Sequence, residues 1–274
     1  MTERASAPSA PPIKLSSPET QEFWEIPVVF EDEHLLALNK PARLLTSPDA
    51  DDAARPSLMK LLHAGIAAGK PWAKERGLTY LNNAHRLDFE ASGVLLLAKN
   101  KPAFLKLADL FGADQPQRTY LALAHGTPEQ DEFEVNAPIA PHQISPGLMR
   151  VEPDLGKAAR TGFKVLAKFL GYTLLQCQPF TDRTHQIRVH LYHVHLPVLG
   201  DALYRGGKLY LSQIKTKYRA RDDREERPLI SSAALHAETI SLPHPVTGET
   251  ITMTAKQPKD MEVAVKYLKL FAAL

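Results

Sequence analysis

Apolar and polar positions alternate with different periods along the chain, and the changes of period mark its elements. Ile26-Pro-Val-Val-Phe30, the polar Glu31-Asp-Glu-His34 and Leu35-Leu-Ala-Leu38 read as two strands joined by a turn and ending at Lys40-Pro41. Leu58, Leu61, Leu62 and Ile66 follow helical spacing behind Ser57, whose hydroxyl suits a helix N-cap. Val94-Leu-Leu-Leu-Ala98 is a short unbroken apolar run, the pattern of a strand buried on both faces. Asn100 and Pro102 open a helix with Phe104, Leu107, Ala108 and Phe111 on its apolar face, and Gly112 is placed to end it in a left-handed conformation.

Beyond that helix the chain becomes mostly extended, over residues 119–124, 161–167, 172–178, 237–242 and 250–255, with Gly, Pro or Asp turns between most of these segments. Thr184 can cap a helix with the stripe Ile187, Leu191 and Val194, and a last helix is predicted from about Met261 to the end. Residues 1–22, rich in Pro, Ser and Ala over their first twenty positions, are expected to form a disordered tail, leaving one folded domain over 23–274. Strands dominate and helices intervene irregularly. The fold class expected is therefore α+β, with a mixed, mainly antiparallel sheet and flanking helices.

Composition narrows the class of protein but not its partner. With 44% apolar and 23% charged residues over 274 positions, the chain can bury a large core and is neither generally disordered nor a disulfide scaffold. Its single cysteine, Cys177, cannot form an internal bridge and reads as a small buried hydrophobe. No apolar run reaches the ~18 residues of a membrane span, and no secretory core follows Met1, so a cytoplasmic protein without membrane association is expected. The net charge of +2 identifies no partner. Local charge is more informative. Arg205, Lys208, Lys215, Lys217, Arg219, Arg221, Arg224 and Arg227 are interleaved with Tyr204, Tyr210 and Tyr218, a mixture that can neutralise phosphates and stack on bases. Asp222, Asp223, Glu225 and Glu226 share the segment, so a solvated, salt-bridged loop explains it equally well.

Two polar clusters stand out as candidate chemistry. His85-Arg86-Leu87-Asp88 feeds the buried run through Phe89-Glu-Ala-Ser-Gly93, a rigid mounting for a reactive group; on its own, Asp88 is better explained as a turn or cap carboxylate paired with Arg86. Thr181-Asp-Arg183-Thr-His185-Gln-Ile-Arg188-Val-His190 places arginines and histidines around a helix start, which suits phosphate or carboxylate partners. His185, His190, His193 and His195 lack metal-site spacing and a neighbouring cysteine pair, so no metal is expected. Gly206-Gly207 lacks the context of a phosphate loop, and no Gly-x-Ser-x-Gly elbow is present.

In order along the chain, these clusters and their neighbours resemble the RluA-type family of pseudouridine synthases. The resemblance begins with residues 26–41 and includes His85-Arg-Leu-Asp88 with Ser92-Gly93 and Leu95-Leu-Leu-Ala-Lys99. It continues through Arg118-Thr-Tyr120-Leu-Ala-Leu-Ala-His-Gly126, Arg183-Thr-His-Gln-Ile-Arg-Val-His-Leu191, Pro197-Val-Leu-Gly-Asp201 and Leu203-Tyr204. Leu235-His-Ala237 and Pro243-His-Pro-Val-Thr-Gly-Glu249 complete it.

The resemblance implies a pseudouridine synthase catalytic domain over 23–274 that isomerises uridine in structured RNA, ribosomal or transfer, as a monomer and without a cofactor. It implies Asp88 as the catalytic carboxylate, Tyr120 as an aromatic partner of the base, and Arg188 as the arginine that keeps Asp88 ionised. Arg86 resembles the residue that enters the RNA stack when the target nucleotide leaves it. His85, Leu87, Arg183, His185 and Leu235 are expected with Arg86 on the substrate side of the site. The chain departs from the family pattern at Ala91, where threonine is usual, at Arg118 for lysine, at Asp182 for glycine, and at Leu196 for histidine. A non-catalytic RNA-binding protein on the same fold is the rival reading, and an unrelated hydrolase using Asp88 a weaker one.

Overall fold

The computed structural model describes residues 10–49, 51–52, 54–216, 218 and 225–274. Lys217, Arg219, Arg221 and Arg224 of the basic segment therefore lie outside the described residues, as does the start of the expected tail. The chain forms two compact units. The first runs to Pro116 and takes in Thr239–Lys256; the second comprises Gln117–Glu238 and Gln257–Leu274.

In the first unit, β1 (Ile13–Ser17) and β2 (Glu22–Ile26) are followed by β3 (Val28–Glu31), β4 (Leu35–Lys40), α1 (Leu58–Ala67) and α2 (Pro71–Glu75). The short β5 (Asn82–Asn83), then β6 (Ser92–Ala98) and α3 (Lys101–Gly112) complete its first stretch. The second unit contains β7 (Gln117–His125), β8 (Glu132–Asn136), β9 (Ile139–Pro141), β10 (Met149–Val151), β11 (Arg160–Phe169), β12 (Tyr172–Pro179), α4 (Gln186–His193) and α5 (Leu211–Ile214). The residues of β13 (Leu235–Pro243) are divided between the units, β14 (Thr250–Thr254) belongs to the first, and α6 (Lys259–Phe271) to the second.

The expected disordered tail is corrected at residues 13–22. Ile13, Leu15 and Ser17 are buried in alternation, and β1 pairs antiparallel with β2 from Ile13 opposite Ile26 to Ser17 opposite Glu22. Period-two burial outweighs a Pro- and Ser-rich composition once a partner strand is available.

In the first unit β4 lies between β3 and β6, antiparallel to both, with Leu36 opposite Leu97 and Leu38 opposite Leu95. Every residue of β6 is buried, as its apolar run requires. Val94, Leu96 and Ala98 share a core with Leu107 and Phe111 of α3 and with Ile240, Leu242 and Met253. Ser57 and Asn100 cap α1 and α3 as expected, accepting the amides of Lys60 and Ala103. Gly112 does not terminate α3 in a left-handed conformation; the helix includes it, and Asp114 takes the positive φ of 51°.

In the second unit β7, β12, β11 and β8 are neighbours in that order, each pair antiparallel. Cys177 lies opposite Tyr120, is fully buried, and has its thiol pKa pushed up by that burial, so it packs as a hydrophobe. His190, also buried, is tied at Nε2 to the Ala137 carbonyl and at Nδ1 to the Thr161 hydroxyl, both at 2.9 Å. A carbonyl only accepts, so Nε2 carries the hydrogen and Nδ1 takes the hydroxyl proton. Burial holds the His190 pKa down, in keeping with this neutral form. The architecture is α+β with mainly antiparallel pairing and flanking helices.

Candidate active site

In the first unit, the loop between β5 and β6 carries His85-Arg86-Leu87-Asp88, and burial alternates along it: His85 and Leu87 are buried, Arg86 is exposed and Asp88 half-buried. The His85 ring stacks on Phe111 with centroids 4.6 Å apart, and its Nε2 accepts the Leu96 amide at 2.9 Å. His85 therefore fastens the loop to β6 and α3. Both His85 and Leu87, expected on the substrate side of the site, are buried side chains.

A functional group that the sequence reasoning passed over is Lys40, the last residue of β4. It is fully buried, and its Nζ donates to the carbonyls of Pro41 and Leu44, each at 2.8 Å. Burial lowers its pKa to about 7, while the carboxylates of Asp88 and Glu90 act in the opposite direction. An amine with a pKa near neutrality beside Asp88 is a second titratable group within the first unit's candidate site. The available signal was a lysine closing the strand Leu35-Leu-Ala-Leu-Asn-Lys40.

In the second unit, α4 starts at His185 rather than at a Thr184 cap; His185 occupies the left-handed region with φ 57°. The side chain of Gln186 satisfies the turn instead. Its Oε1 accepts the Thr181 hydroxyl at 2.8 Å and the Arg183 amide at 3.2 Å, and its Nε2 donates to Arg160 O and Thr161 Oγ1, both at 3.0 Å. Arg183 donates from Nε to Ala158 O and from Nη1 to Asp182 O. His185 Nδ1 meets the Tyr204 hydroxyl at 2.8 Å, and that hydroxyl accepts the Met149 amide at 3.1 Å.

Arg188 is buried in α4 and grips Asp201 with two bonds, Nε to Oδ2 at 2.6 Å and Nη2 to Oδ1 at 2.7 Å, while its guanidinium lies 5.0 Å over the Tyr204 ring. Such a fork fixes the guanidinium plane. Asp201 is thus the partner that orients Arg188, a role the sequence did not suggest. Arg118 and Asp182, both departures from the family pattern, form an ion pair at 2.8 Å. Arg118 lies two residues before Tyr120 on β7, whose tyrosine is half-buried. Leu235, also expected on the substrate side, is buried in β13. Asp88 and Arg86 belong to the first unit; Tyr120, Arg183, His185 and Arg188 belong to the second.

The RNA pseudouridylate synthase family model matches residues 34–193. The chain belongs to this family. It is 32% identical over 264 residues to ribosomal large subunit pseudouridine synthase D of Zymomonas mobilis subsp. mobilis, an alignment covering 94% of this chain and 78% of that protein. It is also 33% identical over 248 residues to the protein of the same name from Pseudomonas aeruginosa, covering 88% and 73%. Among solved structures, human RNA pseudouridylate synthase domain containing 4 superposes with a TM-score of 0.64 at 23% identity, covering 88% of this chain and 92% of that one, which supports the pseudouridine synthase fold. The chain is accordingly an RNA-directed enzyme that isomerises uridine to pseudouridine.

Proposed function

We propose that Asp88 is the catalytic carboxylate of this pseudouridine synthase, and that both units act together as one catalytic domain. The observation that carries this reading is the form of the Asp88 loop: His85 and Leu87 are anchored inward, leaving Arg86 exposed and Asp88 half-buried. The reaction breaks the bond between uracil nitrogen and ribose, turns the base and rejoins it through carbon. A carboxylate can attack, abstract a proton, or stabilise positive charge on the sugar during these steps. Substrate and product are isomers, so the overall conversion needs no external oxidant or energy source.

Tyr120 serves the displaced base, its ring stacking on uracil and its hydroxyl serving proton transfer at C5. Arg188, its plane set by Asp201, supplies positive charge to the catalytic site. Arg86 fills the stack that the flipped nucleotide vacates, offsetting an unstacking cost of a few kcal/mol. Arg183 and His185 contact the RNA, with Arg183 suited to phosphate. The names of the bacterial relatives favour ribosomal RNA over transfer RNA as substrate. The enzyme works as a monomer in the cytoplasm. No helix among the described residues is long and apolar enough to cross a membrane. Mapping pseudouridines in total RNA with and without the gene tests the reading: loss of a defined ribosomal RNA pseudouridine is expected, and an unchanged map contradicts it.

A further inference from the structure

Asp88 sits in a segment with little regular structure, and its backbone is gripped on both sides by residues more than forty positions earlier in the first unit. The buried Thr46 hydroxyl accepts the Leu87 amide at 3.1 Å and donates to the Leu87 carbonyl at 2.9 Å, so a single side chain takes both polar groups of that residue. On the far side of Asp88, the Arg43 amide donates to the Phe89 carbonyl at 2.6 Å, with Arg43 in the left-handed region at φ 62°. The Ala91 amide closes a turn onto the Asp88 carbonyl at 3.2 Å.

The gripping segment is itself anchored. The amides of Leu58 and Met59, at the start of α1, donate to the carbonyls of Leu45 and Thr46 at 2.7 and 3.0 Å, and Lys40 Nζ holds the Leu44 carbonyl. A continuous series of bonds therefore runs from β4 and α1, through residues 43–46, to the residues flanking Asp88. We propose that Thr46 is a positioning residue for Asp88, its hydroxyl setting the backbone from which the carboxylate projects. This rests on Asp88 being the catalytic group. Thr46 has no need to touch RNA in this role, so its loss changes the rate of the chemical step and leaves affinity alone.

The test is a single-turnover assay with saturating enzyme, measuring tritium release from C5-labelled uridine RNA, with RNA affinity and thermal unfolding measured on the same samples. Thr46→Val keeps the shape and removes the hydroxyl; Thr46→Ser keeps the hydroxyl; Asn100→Ala removes the α3 cap in the same unit and controls for lost stability. Misplacing a reacting group by ~1 Å costs about a hundredfold in rate, so Thr46→Val is expected to slow turnover by about 10- to 100-fold with unchanged RNA affinity. Thr46→Ser and Asn100→Ala are expected to stay close to wild type. Thr46→Ala gives the same comparison should Val not fold. A wild-type rate in the folded hydroxyl-less variant overturns the proposal, as does an equal loss in Thr46→Ser or in Asn100→Ala. Absence of turnover in the wild-type enzyme overturns the assigned activity instead, and the role of Thr46 falls with it.

Discussion

Breaking the Arg188–Asp201 pair perturbs two charges that are almost fully removed from water, with side-chain exposures of 2% and 1%. Asp201→Asn keeps the volume but replaces one acceptor oxygen with a donor nitrogen and leaves the arginine charge without its carboxylate. Removing one partner of such a pair costs about 3–5 kcal/mol, because the remaining buried charge loses the counter-charge that offset its desolvation. Local collapse gives little relief. The surrounding turn is tight, with the amides of Tyr204 and Gly206 both bonded to the Asp201 carbonyl and no room for a Cβ at Gly206, where it would meet Val198 O at 1.7 Å. At an m-value of roughly 2 kcal/mol/M, a loss of ~3 kcal/mol lowers the urea midpoint by about 1.5 M. Equilibrium urea unfolding followed by circular dichroism checks this. Arg188→Met should cost a similar amount, whereas the double variant Arg188→Met with Asp201→Leu should recover most of the loss, since apolar replacement of a buried pair is often neutral. A loss below about 1 kcal/mol for Asp201→Asn, or a double variant no more stable than Arg188→Met alone, refutes the reasoning.

Two further outcomes follow from groups near the candidate site. The folded pKa of Lys40, about 7, lies below its ordinary 10.5, so between these values the unfolded chain binds more protons and stability rises with pH; below about 7 the cost of burying the cation is fully present. Against the non-titrating Lys40→Met, wild type should therefore gain up to ~1.4 kcal/mol per pH unit between pH ~7 and ~9, and a flat difference in urea stability contradicts the assignment. For Arg118 and Asp182, whose carboxylate is half-exposed, a double-mutant cycle with Arg118→Met and Asp182→Gly should give a coupling of about 0.5–1 kcal/mol, and a coupling of zero removes the pair as the link between these two departures from the family pattern.

What was legible in the sequence was local. The run of residues 94–98 announced a strand buried on both faces, and Ser57 and Asn100 announced helix starts, because each signal lies within a few residues of its effect. The β1–β2 hairpin was hidden by a Pro- and Ser-rich context, although Ile13, Leu15 and Ser17 carried the alternation. At α4 the N-cap falls on His185, one residue beyond Thr184, because the turn is satisfied from within the helix, by Gln186. Candidate site residues were found through ordered motifs. Their supports were not: Thr46 meets Leu87 across 41 residues, and Asp201 meets Arg188 across 13, with no periodicity to mark either. The burial of Lys40 likewise depends on packing around the end of β4, which the lysine's place at the strand end does not by itself reveal.

The central claim, that Asp88 performs the chemistry, is tested most directly by Asp88→Asn in the single-turnover tritium assay. Asn is nearly isosteric and keeps neutral hydrogen bonds, but it is a poor nucleophile and base and carries no charge to oppose a developing cation. Loss of turnover by several powers of ten is predicted, each ~1.4 kcal/mol of lost barrier reduction being about tenfold in rate, with fold and RNA affinity retained. Turnover at the wild-type rate by the folded Asn variant would contradict the account and leave Asp88 as a turn residue.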